Sequence, residues 1–367
     1  MESDATTDSA TTEYRISGDG YLLIGWCALT LLFCLPGNTL VLLASIKYKA
    51  IKLDKVATIL IENIAVADIC VALFAVLPRM VSVIAEKWEY GCTVTSLATI
   101  IFPGVSIQLI AALNVSKLTC LLFPLRARTR TYTQGRIIAL SLWAGILLLV
   151  GVLEIVPFIT LGEPLYGFYF DYHYMCDLDP QPEIRALFYS VIVVCTFIPM
   201  IVMILTTIWL IVYVQRVRGL SKESVVTLIA ISVVFFVSYI PISSRIIPDT
   251  FVNGMYDKLN ELRDDPDADY EAIVKKWDDL NEHYKGHYYA FTYGVQYVNC
   301  MVNPIIYFFT IKSFQTFVVD LVRRVLGRRN LCTNNRSFAQ TVSTTAETGM
   351  VLTNITKDIT MPSETGI

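Results

Sequence analysis

The chain has 367 residues, of which 54% are hydrophobic and only 17% charged, and its mean hydropathy is +0.55. A water-soluble chain of this length is expected to form about two domains; long apolar runs point to a membrane bundle instead. A formal net charge of −3, with no basic patch interleaved with aromatics, gives nucleic acid no footprint, and no nucleic-acid partner is expected.

Crossing a bilayer takes roughly 20 apolar residues. Seven such stretches run at about 21–46, 56–81, 93–121, 137–161, 184–215, 222–247 and 287–310. The predicted fold class is all-α: a seven-transmembrane helix bundle over 21–310, then a short amphipathic helix on the membrane surface over 311–326. Residues 1–20 and 327–367 are predicted disordered. The N-terminal ESDATTDSATTEYR is acidic and Thr/Ser-rich. It lacks the basic start and early apolar core of a cleaved leader, so span one is expected to act as the insertion signal.

Lys and Arg in the short connections set the orientation. Lys47, Lys49, Lys52 and Lys55 lie between spans one and two, and Arg126, Arg128, Arg130 and Arg136 between three and four. Arg216, Arg218 and Lys222 lie between five and six, and Arg323, Arg324, Arg328 and Arg329 follow seven. These clusters share one side, expected to be cytoplasmic, which leaves the N-terminus outside. Asn114, Asn335 and Asn354 begin glycosylation sequons, but all fall in the membrane or cytoplasm in this topology and are chance matches.

Ionisable and amide side chains inside a span are costly and usually face the bundle interior. In chain order they are Asn38 after Gly37 in span one, Asp68 in the middle of span two, Ser106 in span three, and Asn299 and Asn303 in span seven. Cys27, Cys34, Cys70, Cys120, Cys195 and Cys300 lie within spans and read as small buried hydrophobes. Cys92, in Trp88-Glu89-Tyr90-Gly91-Cys92, opens span three on the outer face, and Cys176 lies in the next outer loop; both face the oxidising side. That loop is rich in aromatics, and its alternation around Phe168–Tyr174 suggests a hairpin.

The loop from about 248 to 287 carries eleven Asp and Glu against five Lys and Arg. Its segments around Tyr256–Leu262 and Tyr270–Trp277 suit two short amphipathic helices split near Pro266. Its DDPDAD run lacks the spacing of a calcium loop and reads as a solvated acidic lid. With the acidic tail, it gives the outer surface a negative field that attracts cationic ligands.

Span seven ends on Asn303-Pro304-Ile305-Ile306-Tyr307. Proline inside a membrane helix removes one hydrogen bond and kinks it, and here Asn303 and Tyr307 put polar groups at the kink. N-P-x-x-Y in a last apolar segment resembles the seventh helix of rhodopsin-like G-protein-coupled receptors. Trp143 in span four, Pro199 in span five and Pro241 in span six match that family, and Phe235 precedes Pro241 by six residues. Tyr239, in Ser238-Tyr239-Ile240-Pro241, stands where the family usually carries Trp.

The resemblance covers about 20–330. It implies a plasma-membrane receptor, not an enzyme, that senses an extracellular ligand and signals through a heterotrimeric G protein. It implies a disulfide between Cys92 and Cys176. It also implies a polar cluster of Asp68, Ser106, Asn299 and Asn303 that takes an allosteric sodium ion; a water-linked network without an ion is the alternative. The pocket implied is Thr99 and Pro103 in span three, Glu154 in four, Tyr239 and Arg245 in six, and Tyr293, Gln296 and Tyr297 in seven, with Arg79 capping span two. An aminergic ligand would need Asp where Thr99 stands, and retinal would need Lys where Tyr297 stands. A peptide, cationic to suit the outer field, is the ligand class expected.

One departure bears on signalling. The family's D-R-Y lies eight residues before the Pro-Leu seen here at Pro124-Leu125, and that count falls on Ser116-Lys117-Leu118. The acid is absent and Lys replaces Arg, a point charge in place of a planar fork. On this reading the resting state lacks one restraint, and a non-signalling or atypically coupled binding protein on the same fold is the alternative function. Thr207 stands where span five commonly has Tyr. A transporter is disfavoured, because the spans show no internal repeat, and no constellation of catalytic residues suggests an enzyme.

Cys332 follows the amphipathic stretch and is a candidate palmitoylation site, with a free cytosolic thiol as the alternative. The Ser/Thr-rich tail could be phosphorylated to recruit an arrestin-like partner. Its end, Glu364-Thr365-Gly366-Ile367, resembles a ligand for a PDZ protein. Membrane lipid is the remaining expected partner.

Overall fold

A computed structural model describes residues 18–51, 53–85, 89–161, 166–167, 179–180, 190–216, 222–244, 274–275 and 287–325. The chain divides into two compact units, 1–315 and 316–367, and every membrane span lies in the first. Among the described residues, six helices are long and apolar enough to cross a bilayer alone; a seventh, Phe291–Thr310, meets the same measure only as a bent pair with Lys312–Arg324. Its polar content explains this: Gln296, Asn299 and Asn303 lower its hydropathy without shortening it.

Span one is the helix Gly18–Leu42, continued by the π-helical turn Leu43–Lys47. Span two is Lys55–Cys70, the π-turn Val71–Val76 and Leu77–Ala85. Span three is Glu89–Leu122, ended by Phe123 and Pro124, which starts the short helix Pro124–Arg128. Span four runs Tyr132–Leu161, five residues earlier than the apolar run at 137 suggested. The reason is a capping box: the Gln134 amide donates to Thr131 Oγ1 at 3.3 Å and the Thr131 amide to Gln134 Oε1 at 3.1 Å, so the helix begins before its apolar face does.

Span five comprises the π-turn Val193–Phe197 and the helix Ile198–Arg216. The turn sits just before Pro199, which has no N–H to return to the carbonyl of Cys195. Span six is Lys222–Ser244 and span seven His287–Thr310. The helix breaks at Ile311, and an amphipathic helix follows over Lys312–Val325.

Outside the membrane, Tyr166–Gly167 pairs antiparallel with Asp179–Pro180, in register Tyr166 to Pro180 and Gly167 to Asp179. The intervening residues, which include Cys176 and the aromatic run 168–174, lie outside the described residues. So does the 248–287 lid, apart from 274–275 and the start of span seven, as do the N-terminal 17 residues, Cys332 and the C-terminal tail.

The spans close into a ring within the first unit. One packs on two and seven, two on three and four, three on four and five, five on six, and six on seven. Two glycines permit this closeness. A Cβ on Gly37 would stand 2.9 Å from the Pro304 ring, so Pro304 of span seven lies directly against span one. A Cβ on Gly294 would overlap the Trp26 indole, so span seven can pass span one there only without a side chain. The outer core formed this way gathers Leu23, Cys27, Val76, Val83, Ala98 and Tyr297, with Trp26 and Tyr293 partly buried against it.

Candidate functional site

Three polar centres lie along the bundle. The deepest is built on Asp68, which is almost wholly buried. Its Oδ1 accepts a hydrogen bond from Ser106 Oγ at 3.1 Å, and its Oδ2 accepts one from Asn303 Nδ2 at 2.9 Å. Beside it, Asn38 Nδ2 donates to the Cys34 carbonyl at 3.1 Å and the Cys300 carbonyl at 3.0 Å, stitching span one to span seven. Cys34 Sγ in turn donates to the Asp68 carbonyl at 3.2 Å.

Asn299 is buried, but no hydrogen bond joins it to Asp68 among the described residues. The Oδ1 atoms of Asn38, Asn299 and Asn303 and the Tyr307 hydroxyl are buried without a hydrogen-bond partner. The Asp68 carboxylate and the Ser106 hydroxyl bonded to it are oxygen donors, and the same part of the bundle holds buried amide oxygens without partners. That chemistry fits a hard cation such as sodium and offers nothing to a soft metal. No group of three or more His, Cys, Asp or Glu suited to a metal occurs among the described residues.

The second centre lies toward the outer face. The Arg79 guanidinium is buried and sits 4.1 Å above the centre of the Tyr293 ring, a cation–π contact in low dielectric. Arg79 is therefore not a surface cap on span two but part of the interior. The Tyr297 hydroxyl and Gln296 Oε1 are buried without a hydrogen-bond partner, as is Trp26 Nε1. Tyr239 is buried and stacks on Phe235, with ring centroids 4.3 Å apart, so these aromatics form one unit just before Pro241 in span six. Thr99 Oγ1 donates to its own helix, to the Thr95 carbonyl at 2.7 Å, and is not turned to a partner span. Pro103 lies within the span-three helix. Glu154 belongs to the span-four helix but its side chain is outside the described residues, and Arg245 falls outside them entirely.

The third centre, at the inner end of span three, differs from the sequence expectation. Lys117 is not released by the loss of the acid at 116. Its Nζ lies 2.6 Å from Asp54 Oδ2, across from the start of span two. Asp54 is fixed there as the N-cap of Lys55–Cys70, its Oδ1 accepting from the Ala57 amide at 3.0 Å. Partial burial pushes the Asp54 carboxyl up. The Lys117 ammonium, the Ala57 N–H and the nearby Arg130 charge outweigh that and hold it below the usual carboxylate range.

Ser116 is engaged elsewhere. Arg130, from the connection after span three, reaches the Ser116 carbonyl at 3.0 Å, Ser116 Oγ at 2.8 Å and Thr119 Oγ1 at 2.9 Å. One turn above, Asn114 Nδ2 donates to Ser232 Oγ at 2.9 Å and Thr207 Oγ1 to the same oxygen at 3.2 Å, tying spans three, five and six. The Tyr213 hydroxyl donates to the Leu121 carbonyl at 3.1 Å.

The sequence reading missed Asp54, Arg130, Asn114 and Ser232. Asp54 carried one usable signal, an Asp directly before an apolar-periodic run, which marks an N-cap. Nothing in the sequence points that cap at Lys117.

Residues 37–307 match the family model of the 7 transmembrane receptor (rhodopsin family). The chain is similar to the human C-C chemokine receptor type 1, at 25% identity over 303 residues that cover 79% of this chain and 76% of that receptor. It is similar to the human C-C chemokine receptor type 4, at 25% over 317 residues and 83% and 79% coverage. It is also similar to the human type-1 angiotensin II receptor, at 22% over 318 residues and 84% and 82% coverage.

Proposed function

Because the chain belongs to the rhodopsin family of seven-transmembrane receptors, we propose that it senses an extracellular cationic peptide at the plasma membrane and passes the signal to a heterotrimeric G protein. It is a multi-pass membrane protein and a receptor, not an enzyme. The observation that carries the reading is the set of three polar centres along the bundle, at Arg79 and Tyr293, at Asp68 and Asn303, and at Lys117. Each joins two spans, so a ligand that shifts the spans relative to one another would act on all three.

The peptide class has two supports: the acidic excess of the 248–287 loop, eleven against five, and relatives named for chemokines and for angiotensin II. Tyr293, Gln296, Tyr297 and Tyr239, with Thr99, Glu154 and Arg245, are the residues proposed to meet it. The ligand's cationic groups would be drawn by the outer acidic residues, while the buried aromatics and amides fix its inserted end.

Asp68, Ser106, Asn299 and Asn303 are proposed to hold an allosteric sodium ion, whose charge would balance the Asp68 carboxylate. Asp68 and Ser106 supply the anionic and hydroxyl oxygens, and the unsatisfied Asn299 and Asn303 oxygens complete the set. Cys332 as a lipid anchor, an arrestin-like partner for the tail and a PDZ protein for Glu364–Ile367 are proposed with it.

The second reading, a binding receptor that does not couple in the ordinary way, is favoured by one observation: Lys117 is committed to Asp54. A cell-based nucleotide-exchange assay across the G-protein classes, challenged with cationic peptide libraries, tests the two. A saturable ligand that stimulates exchange supports the first. A ligand that binds while every G protein stays silent supports the second.

A further inference from the structure

We infer that Asp54 is a latch on Lys117. The carboxylate absent from position 116 is supplied by the N-cap of span two, and breaking that ion pair frees Lys117 for the G protein. The inference rests on the reading of the chain as a coupled receptor and deepens it by naming how its resting state is held.

Asp54 divides its two oxygens between two tasks. Oδ1 accepts from the Ala57 amide, and Oδ2 accepts from Lys117. The backbone around it is fixed as well, because the Asp54 carbonyl accepts from the Thr58 amide at 2.9 Å and from Thr58 Oγ1 at 3.1 Å. The carboxylate is thus a stationary post on span two. If the inner end of span three moves, the carboxylate cannot follow, and the 2.6 Å contact lasts only as far as the Lys117 stem can stretch.

The pair is also shielded. The two side chains are 15% and 22% exposed, so salt screens it less than a surface pair. Ser116 offers no competing restraint, since its hydroxyl and carbonyl are taken by Arg130.

The two departures at 116 and 117 become one. With Oδ1 committed to the cap, Asp54 presents a single oxygen. A Lys ammonium can pair as a point charge with Oδ2 alone, whereas an Arg fork is matched best by two parallel bonds, for which it would have to share Oδ1 with the cap. A monodentate acceptor on span two and Lys on span three are therefore matched to each other.

The test uses the full-length receptor in lipid nanodiscs as wild type, Asp54→Asn, Lys117→Gln and the double variant. Asn is as good an N-cap as Asp, so Asp54→Asn removes the charge and keeps the helix start, whereas Asp54→Ala loses both. One readout is basal nucleotide exchange on added G protein. The other is the distance between spin labels on the exposed residues Leu125 and Val226, which follows the opening of the inner face without any partner. Asp54→Asn should raise basal exchange about fivefold, as expected for losing a shielded ion pair from the resting state only.

It should also enrich the longer label distance, and add little in the Lys117→Gln background. Full additivity of the two substitutions, or identical label distances in all four proteins, overturns the latch. If exchange is silent throughout while the distances shift non-additively, the latch stands and the coupled-receptor reading falls. If a ligand drives exchange and Asp54→Asn moves neither readout, the coupled reading stands and the latch falls.

Discussion

Asn303 donates to Asp68 Oδ2 at 2.9 Å, so the residue before the span-seven proline is fastened to the middle of span two. Pro304 removes a backbone donor from the helix at the next position, which leaves span seven able to bend there. Gly37 lets span one pack directly on Pro304. The proline, the Asn303 amide and the buried carboxylate are therefore adjacent, and a change of charge at Asp68 is met first by the Asn303 amide of span seven.

Asp68→Asn is expected to abolish the sodium dependence of agonist affinity. An allosteric ion changes agonist affinity only through unequal affinity for two receptor states, and the amide removes the anionic oxygen while keeping the shape. Agonist displacement binding with sodium and with a large organic cation as substitute measures it. Equal sodium dependence in wild type and variant would show that no ion acts at Asp68.

Cys92→Ser and Cys176→Ser are each expected to impair surface expression or ligand binding, and the double variant to be no worse than either. Two halves of one bond cannot be lost twice. Surface immunostaining and saturation binding measure it, and independent additive losses would show that the two cysteines are not joined.

Much of the fold was legible because a lipid environment leaves few options: apolar runs of sufficient length form helices. The identities of Asp68, Ser106 and Asn303 were legible too, since a polar side chain inside an apolar run has to face inward. Their pairing was not, because nothing in a sequence states which side chains meet. Span four starts at Tyr132 because Thr131 and Gln134 cap each other, a signal outside the apolar pattern. The sharpest difference is at Lys117, whose partner Asp54 lies 63 positions away and is already occupied as a helix cap. An intrahelical search of positions near 117 could not find it.

Gly294→Ala is expected to destabilise the receptor, because the new methyl overlaps the Trp26 indole. Overpacking of this kind costs about 1–3 kcal/mol, which should lower the thermal midpoint by several degrees in a fluorescence melt. Trp26→Leu in the same chain should restore much of the loss by clearing the space. A Gly294→Ala variant as stable as wild type would show that span one moves aside freely.

The pH dependence of the Asp54–Lys117 pair follows from the lowered Asp54 pKa. A carboxyl held lower in the folded than in the unfolded protein contributes stability above its unfolded value of about 3.9, and loses it as pH falls through the folded value. The melting difference between wild type and Asp54→Asn should therefore stay constant from about pH 5 to 8 and close only below about pH 4. A difference that vanished near neutral pH would mean that Asp54 is not ionised in the folded receptor.

Lys117→Arg is expected to raise agonist-stimulated nucleotide exchange by about threefold. Two effects act together. Arg brings five donors to the cytoplasmic opening where Lys brings three, and Asp54, with Oδ1 shared with the Ala57 amide, grips the fork less well than a free carboxylate would. Basal exchange should rise as well. Ser116→Asp should act in the opposite sense: a carboxylate there meets the Arg130 guanidinium that now reaches Ser116 Oγ, and lies beside Lys117, so it adds a restraint and lowers basal exchange. Both variants should be compared with wild type at matched surface expression. If Lys117→Arg leaves exchange unchanged while Lys117→Ala silences a robust response, Lys is fully competent at this position and its pairing with Asp54 does not limit coupling. If wild type and both variants are silent with a ligand bound, the receptor binds without coupling.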